Sequence, residues 1–213
     1  MPLVLHQSMP LWGDLYIWHV REEQRYFEGE LEKAGLGFDH LREWHPSRQL
    51  EWLSGRYLIH QYLREEVSAL QVDSYGKPGW PKSDSHISLS HSGRLVGLQV
   101  HGINHGLDIQ LTTNKISRVA HKFCSNHDRT VLSKIYSKQD TEHYIWGLKE
   151  CVFKAYGKGQ LSYLDHIRIL SVMPKRRVHF VELRLTKNDV TINYRGKLSR
   201  LGPYYITQVV ELR

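Results

Sequence analysis

The pattern of elements starts over halfway along the chain, and that restart limits the folds open to it. Before residue 102 the sequence reads as an early strand, Leu15 to Val20, and a polar helix in "REEQRYFEGELEKAG" that Gly35 and Gly37 stop. A longer helix follows in "HPSRQLEWLSGRYLIHQYLREEV". Pro46 and Ser47 supply its start signal, and Leu50, Leu53, Tyr57, Ile59, Tyr62 and Leu63 recur at roughly helical spacing. The stretch "DSYGKPGWPKSDSH" is dense in Gly, Pro, Ser and Asp and reads as a loop or irregular hairpin. Two strands, "HISLS" and "LVGLQVH", meet at the turn "HSGR". After "HGINHG" come another strand, a polar helix, a long helix, and strands through "VHFVELRL", "VTINYR" and "YYITQVVEL". The expectation is an α+β fold in two halves of near-equal size, 1–104 and 105–213. No Pro/Ser linker separates them, which predicts tight packing.

Bulk properties narrow the function classes. The 213 residues, 40% hydrophobic, suffice for a real core. No apolar run approaches the ~18 residues of a membrane span, and the N-terminus lacks both a basic start and a long apolar run. The expected setting is the cytoplasm, with no membrane partner. Cys124 and Cys151 have no CxxC spacing, so two reduced thiols are expected rather than a zinc ribbon or disulfide frame. The net charge of +7 predicts attraction to anions of some kind. The Lys and Arg residues are scattered, the densest run being Lys175, Arg176 and Arg177, so no nucleic-acid footprint is signalled. His101 and His105 bracket Gly102 and Asn104, which is turn chemistry and not a helical metal-ligand pair.

The chemistry gathers on two elements. In "GLDIQLTT" strand alternation sends Leu107, Ile109 and Leu111 toward a core and leaves Asp108 and Gln110 together on the other face. In "YIWGLKECVFKAYGKG" a helical wheel collects Ile145, Leu148, Val152 and Tyr156 into one arc, and Lys149 falls inside it. A lysine directed at packed surface needs an anion or a route to water, which suggests a cleft wall. Glu150 and Lys154 lie one turn apart on the other side. A pyrophosphate substrate needs carboxylates to hold a divalent cation, cations to neutralise the leaving group, and a base for the nucleophile's proton. Asp108, Glu150, Lys149 and Lys154 supply those parts if the fold brings strand and helix together.

The ordered set "YGKP", "ISLSHSGR", "GLDIQ" and "WGLKECVFKAYGKG", with "RQLEWLSGR" on the first long helix, resembles the Sfp-type 4′-phosphopantetheinyl transferases. That resemblance implies a pseudo-dimer of two similar α+β halves with coenzyme A in the crevice between them. It implies a monomer that moves the phosphopantetheine arm to a serine of an apo acyl or peptidyl carrier protein and releases 3′,5′-ADP. Asp108 and Glu150 would ligate Mg²⁺ or Mn²⁺, with Gln110 a third metal position. Glu150 would also activate the carrier serine, and Lys154 would assist departure of the nucleotide. Ser90 and His91 would contact coenzyme A phosphates, Lys77 the nucleotide, and Arg48 and Arg56 the 3′-phosphate. Lys149 belongs to the signature as a residue that shapes the site. The segment from Lys115 to His127, carrying Lys115, Arg118 and Lys122, reads either as a carrier contact or as a solvated helix.

Where an acidic third ligand is usual, Gln110 brings an oxygen without charge. The competing expectation is therefore a non-catalytic module that binds coenzyme A or a carrier protein.

Overall fold

Along "LYIW" the residues Leu15 and Ile17 alternate with Tyr16 and Trp18, and this alternation sets two separate core layers on the two faces of one sheet. The computed structural model describes residues 2–63, 67–80, 83–176 and 178–213. In the first half β1 (Leu3–Met9) and β2 (Gly13–His19) form a hairpin, followed by α1 (Gln24–Lys33) and α2 (Pro46–Tyr62). The short strands β3 (Gln71–Val72) and β4 (Pro78–Gly79) pair around the "SYGK" turn, and β5 (His86–Ser92) and β6 (Leu95–His101) complete a sheet of order β1-β2-β6-β5. Pro46 opens α2 at its first turn, where its missing N–H costs nothing, and His45 Nδ1 accepts from Ser47 N at 3.3 Å. Of the helix expected across 45–67, residues 64–66 lie outside the described residues. So do Pro81 and Lys82 of the expected loop and Arg177 of the basic run.

The second half runs β7 (His105–Leu111), α3 (Ile116–Val119), α4 (Asn126–Leu132), α5 (Lys138–Tyr156), β8 (Ile167–Pro174), β9 (His179–Lys187), β10 (Val190–Leu201) and β11 (Tyr204–Glu211). Its sheet has the order β7-β11-β10-β9-β8, antiparallel throughout. The molecule is thus α+β as expected, with one long helix on each sheet, but the two halves differ in strand number and strand order.

The layers run helices, sheet, sheet, helix. Trp18, Ile87, Val96 and Leu98 bury one face of the first sheet against Phe27, Leu31, Leu53 and Leu58 of α1 and α2. The opposite face presents Leu15, Ile17 and Leu95 to Leu107, Ile109 and Ile206 of the second sheet, closing the joint between the halves. On the far side Leu148, Val152 and Ala155 of α5 pack on Leu183, Leu198, Tyr205 and Val209. Leu107 and Ile109 are buried as expected, whereas Leu111, at the strand end, is 38% exposed. Cys124 and Cys151 are free and buried, and among the described residues no helix is long and apolar enough to cross a membrane.

A second joint is polar. Ser88, Ser90 and Ser92 alternate along β5, the edge strand of the first sheet, and their Oγ atoms accept the backbone N–H groups of Leu107, Ile109 and Leu111 on edge strand β7, each at 2.9 Å. Side-chain hydroxyls here take the place of ladder carbonyls and satisfy an edge that burial would otherwise leave without partners. The alternation of "SLSHS" is therefore the register mark between the halves. Ser88→Ala strands a buried donor and is expected to cost ~1–3 kcal/mol in urea unfolding. Ser92→Ala frees an amide that water reaches and should cost under about 0.5 kcal/mol; equal losses at the two positions would contradict this account.

Candidate active site

β7 and α5 meet almost backbone to backbone. A Cβ at Gly106 would sit 2.1 Å from the carbonyl oxygen of Cys151, so only glycine allows this approach. The closeness brings Lys154 over the strand, where its Nζ donates to Leu107 O at 2.8 Å and to Asp108 Oδ1 at 3.1 Å. Ser90 Oγ, already accepting from Ile109 N, donates to the same Asp108 oxygen at 3.3 Å. Asp108 is 8% exposed, and burial raises its pKa against the pull of Lys154 and Ser90. Glu150, one turn before Lys154, accepts from the Tyr163 hydroxyl at 2.8 Å. Burial raises its pKa too, and the negative charge of Asp108 pushes it further in the same direction. The strand carboxylate is thus close enough for its charge to act on the helix carboxylate.

Two cavities adjoin this site. One of about 310 Å³ is lined by residues that include Arg56, Lys77, Leu89, His91, Phe153 and Lys154. Another of about 430 Å³ is lined by residues that include Trp44, Arg48, Trp52, Arg56, Ser90 and His91. Arg56, Leu89 and His91 border both, so the cavities are neighbours; Asp108 and Glu150 line neither, but Asp108 bonds one lining residue of each, Lys154 and Ser90. Arg48 and Arg56 lie over the rings of Trp44 and Trp52 at 4.9 and 4.8 Å, which holds two cations along the wall. His91 Nδ1 is 3.2 Å from Glu51 Oε1.

Lys77 reaches the crevice from the first half. Asp73 Oδ1 accepts from the backbone N–H groups of Tyr75 and Lys77, which folds "DSYGK" into a tight turn. The Lys77 ammonium then donates to Asn104 Oδ1 at 2.8 Å and to Ala155 O, at the end of α5, at 3.1 Å. Burial lowers its pKa. Gly157 caps α5 at φ +64°, and a Cβ there would meet Lys77 Cδ at 3.0 Å, so the helix end both needs and leaves room for this crossing.

Three expected roles change. Lys149 is fully buried, with Nζ 2.7 Å from Asp128 Oδ2 and 2.7 Å from the carbonyl oxygen of Tyr163, so it faces the protein interior and not a ligand or a cleft. Gln110 shares the Asp108 face, but its Oε1 accepts from His143 Nδ1 at 2.9 Å, while Thr113 N donates to His143 Nε2 at 3.2 Å. The amide oxygen is thereby engaged by His143, in the first turns of α5. The Ser90 hydroxyl is committed to Ile109 N and Asp108, so it supports the aspartate instead of standing free for a phosphate.

Two residues escaped the sequence reading. Asp128 accepts from Lys149 with one oxygen and from Ile169 N, at 3.0 Å, with the other, tying α4, α5 and β8 together. The capping pattern "SNHD" was its only local sign, since Ser125 and Asp128 bond reciprocally at the start of α4. Tyr163 carried no sign beyond being an aromatic residue shortly after Gly157 and Gly159. Lys149→Met would leave the Asp128 carboxylate buried without its cation and should cost ~3–5 kcal/mol in denaturant unfolding. A loss below ~1 kcal/mol would contradict the buried-pair assignment.

Mg²⁺ characteristically takes one or two protein carboxylates and completes its shell with phosphate and water. Buried Asp108 and half-buried Glu150, whose proton affinity Asp108 raises, are carboxylates of the kind such a cation takes. Among the described residues no group of three or more His, Cys, Asp or Glu side chains is placed to hold a metal.

Comparison with known proteins agrees with this architecture. Residues 105–208 match the profile of the 4′-phosphopantetheinyl transferase superfamily. The chain is 29% identical over 136 residues to the 4′-phosphopantetheinyl transferase Sfp of Bacillus subtilis (strain 168), covering 62% of this chain and 61% of that protein. It is 27% identical over 133 residues to the 4′-phosphopantetheinyl transferase gsp of Aneurinibacillus migulanus, covering 61% of this chain and 56% of that protein. The matches span less than two thirds of either relative. Residues 105–208, which contain β7, α5 and both carboxylates, are thus similar to the 4′-phosphopantetheinyl transferase superfamily.

Proposed function

We propose that the chain transfers the 4′-phosphopantetheine arm of coenzyme A to a serine of an apo acyl or peptidyl carrier protein, releasing 3′,5′-ADP. The observation that carries this reading is the position of Asp108. It bonds Lys154, which lines one cation-walled cavity, and Ser90, which lines its neighbour, and its charge is felt by Glu150. The half from residue 1 to 104 serves as the nucleotide side, with Lys77, Arg48 and Arg56 as its cations and His91 as a further phosphate contact. The half from 105 to 213 serves as the metal and catalytic side.

Asp108 and Glu150 would hold Mg²⁺, which when bound draws charge off the pyrophosphate oxygens. Lys154 sits beside Asp108 and neutralises charge that builds on the departing 3′,5′-ADP. Glu150 takes the proton of the attacking serine hydroxyl, directly or through water, as the new O–P bond forms and the bond to the nucleotide breaks. Its raised pKa suits a base working near neutrality. Lys115, Arg118 and Lys122 are exposed beside α3, which supports this face as the rim that meets an acidic carrier.

A second reading, a module that binds without catalysis, draws support from Gln110, whose amide is held by His143. One experiment separates the two: incubation with coenzyme A, Mg²⁺ and an apo carrier, followed by intact-mass analysis of the carrier. A phosphopantetheine mass increment that disappears with chelator and falls at least ~100-fold in Glu150→Gln supports transfer. Saturable coenzyme A binding with no mass increment across a panel of carriers would establish the binding module instead.

The raised carboxylate pKa values also set a pH dependence. Protons compete with the cation for ionised Asp108 and Glu150, so affinity is full at high pH and is lost as pH falls through their raised values. The Mg²⁺ concentration for half-maximal rate should begin to climb at a pH above the ~4 at which exposed carboxylates titrate. A requirement that stays flat from about pH 7.5 to about pH 5 would contradict the assignment of these two ligands.

A further inference from the structure

Trp146, Lys149, Glu150 and Phe153 occupy one stripe of α5 at the spacing i, i+3, i+4, i+7. Tyr163, from the turn that follows the helix, lies along the whole stripe. Its ring centroid is 5.8 Å from that of Trp146 and 6.0 Å from that of Phe153. Its carbonyl oxygen accepts from Lys149 Nζ at 2.7 Å, and its hydroxyl donates to Glu150 Oε1 at 2.8 Å. The turn itself is closed by Ser162 N donating to His166 Nδ1 at 2.9 Å and by His166 N donating to Ser162 O at 3.0 Å. One residue is thus fixed at four points, and its single free rotor, the hydroxyl, is spent on the carboxylate assigned as ligand and base.

We propose that Tyr163 is a positioning residue for Glu150. It occupies Oε1 and leaves Oε2 for a divalent cation shared with Asp108, while the buried Lys149–Asp128 pair anchors the tyrosine backbone that makes this possible. The inference rests on the functional reading above. It gives Lys149 a purpose beyond packing, because an ammonium buried away from the crevice acts on the site through the Tyr163 carbonyl. A carboxylate free to rotate would lose part of its cation affinity to disorder, and a single fixed hydrogen bond on one oxygen removes that freedom.

The test is Mn²⁺ binding to the full chain, read by electron paramagnetic resonance of the free ion, for wild type, Tyr163→Phe, Glu150→Gln and the double variant. Tyr163→Phe keeps the ring contacts and the backbone carbonyl and removes only the hydroxyl. The Mn²⁺ dissociation constant is expected to rise about 10-fold in this variant, with an unfolding midpoint close to wild type. On the Glu150→Gln background the same change should add nothing further, since the hydroxyl acts only through that carboxylate. Wild-type affinity in Tyr163→Phe would overturn the proposal, as would a further 10-fold loss in the double variant. If Glu150→Gln weakens Mn²⁺ binding while Tyr163→Phe does not, the metal reading stands and the positioning role alone falls. If the wild-type chain itself binds no Mn²⁺, the metal reading falls first and takes this one with it.

Discussion

Three serine hydroxyls on β5, each taking an amide of β7, hold the two halves of this protein in register. Apolar contact between the sheets would bring the halves together, but it is non-directional and tolerates sliding. Hydrogen bonds from Leu107, Ile109 and Leu111 do not. Because Ser90 is the middle rung and also donates to Asp108, the fit between the sheets and the placement of the central carboxylate are one arrangement. A slip of one residue would put β5 side chains of the other face against β7 and leave Asp108 without that donor.

The long helix α5 serves both its own core and the crevice. One arc packs Leu148 and Val152 on the second sheet, and close approach at Gly106 draws the helix near enough for Lys154 to reach across to β7. Burial disfavours the ionised forms of Asp108 and, to the extent that it is covered, Glu150, although Lys154 offsets part of this at Asp108. The divalent cation proposed above would reverse that balance and link the stability of the site to its occupancy. Lys149 belongs to a different economy. It and Asp128 neutralise one another out of solvent, and they join three elements behind the site.

The sequence was most legible where periodicity decided the outcome. Strand alternation separated Leu107 and Ile109 from Asp108 correctly, and the helical wheel placed Lys149 inside the apolar arc, where it is. What the wheel does not contain is the partner. Asp128 lies 21 residues away on another helix, so a buried pair and a cleft-wall cation look the same from α5 alone. Gln110 was grouped with Asp108 on the right face, but the hydrogen bond that turns its amide comes from His143, which only packing brings near. The strand β1 is hard to read from sequence because only Leu3 and Leu5 pack on the core and the rest of its side chains are exposed or face solvent. In β8 a bulge between Ile169 and Ser171 breaks the alternation that would have announced it. The polar helix expected after β7 is broken into α3 and α4, with Ser125 starting the second piece as its N-cap.

The account stands on Asp108 and Glu150 gripping a single cation at the joint between the halves. Anomalous diffraction from crystals grown with Mn²⁺ and coenzyme A tests this without reference to rates. The account predicts one strong peak about 2.1 Å from a carboxylate oxygen of each residue, beside the pyrophosphate. A pyrophosphate bound in the crevice with no peak there, or a peak held by other side chains, would contradict it.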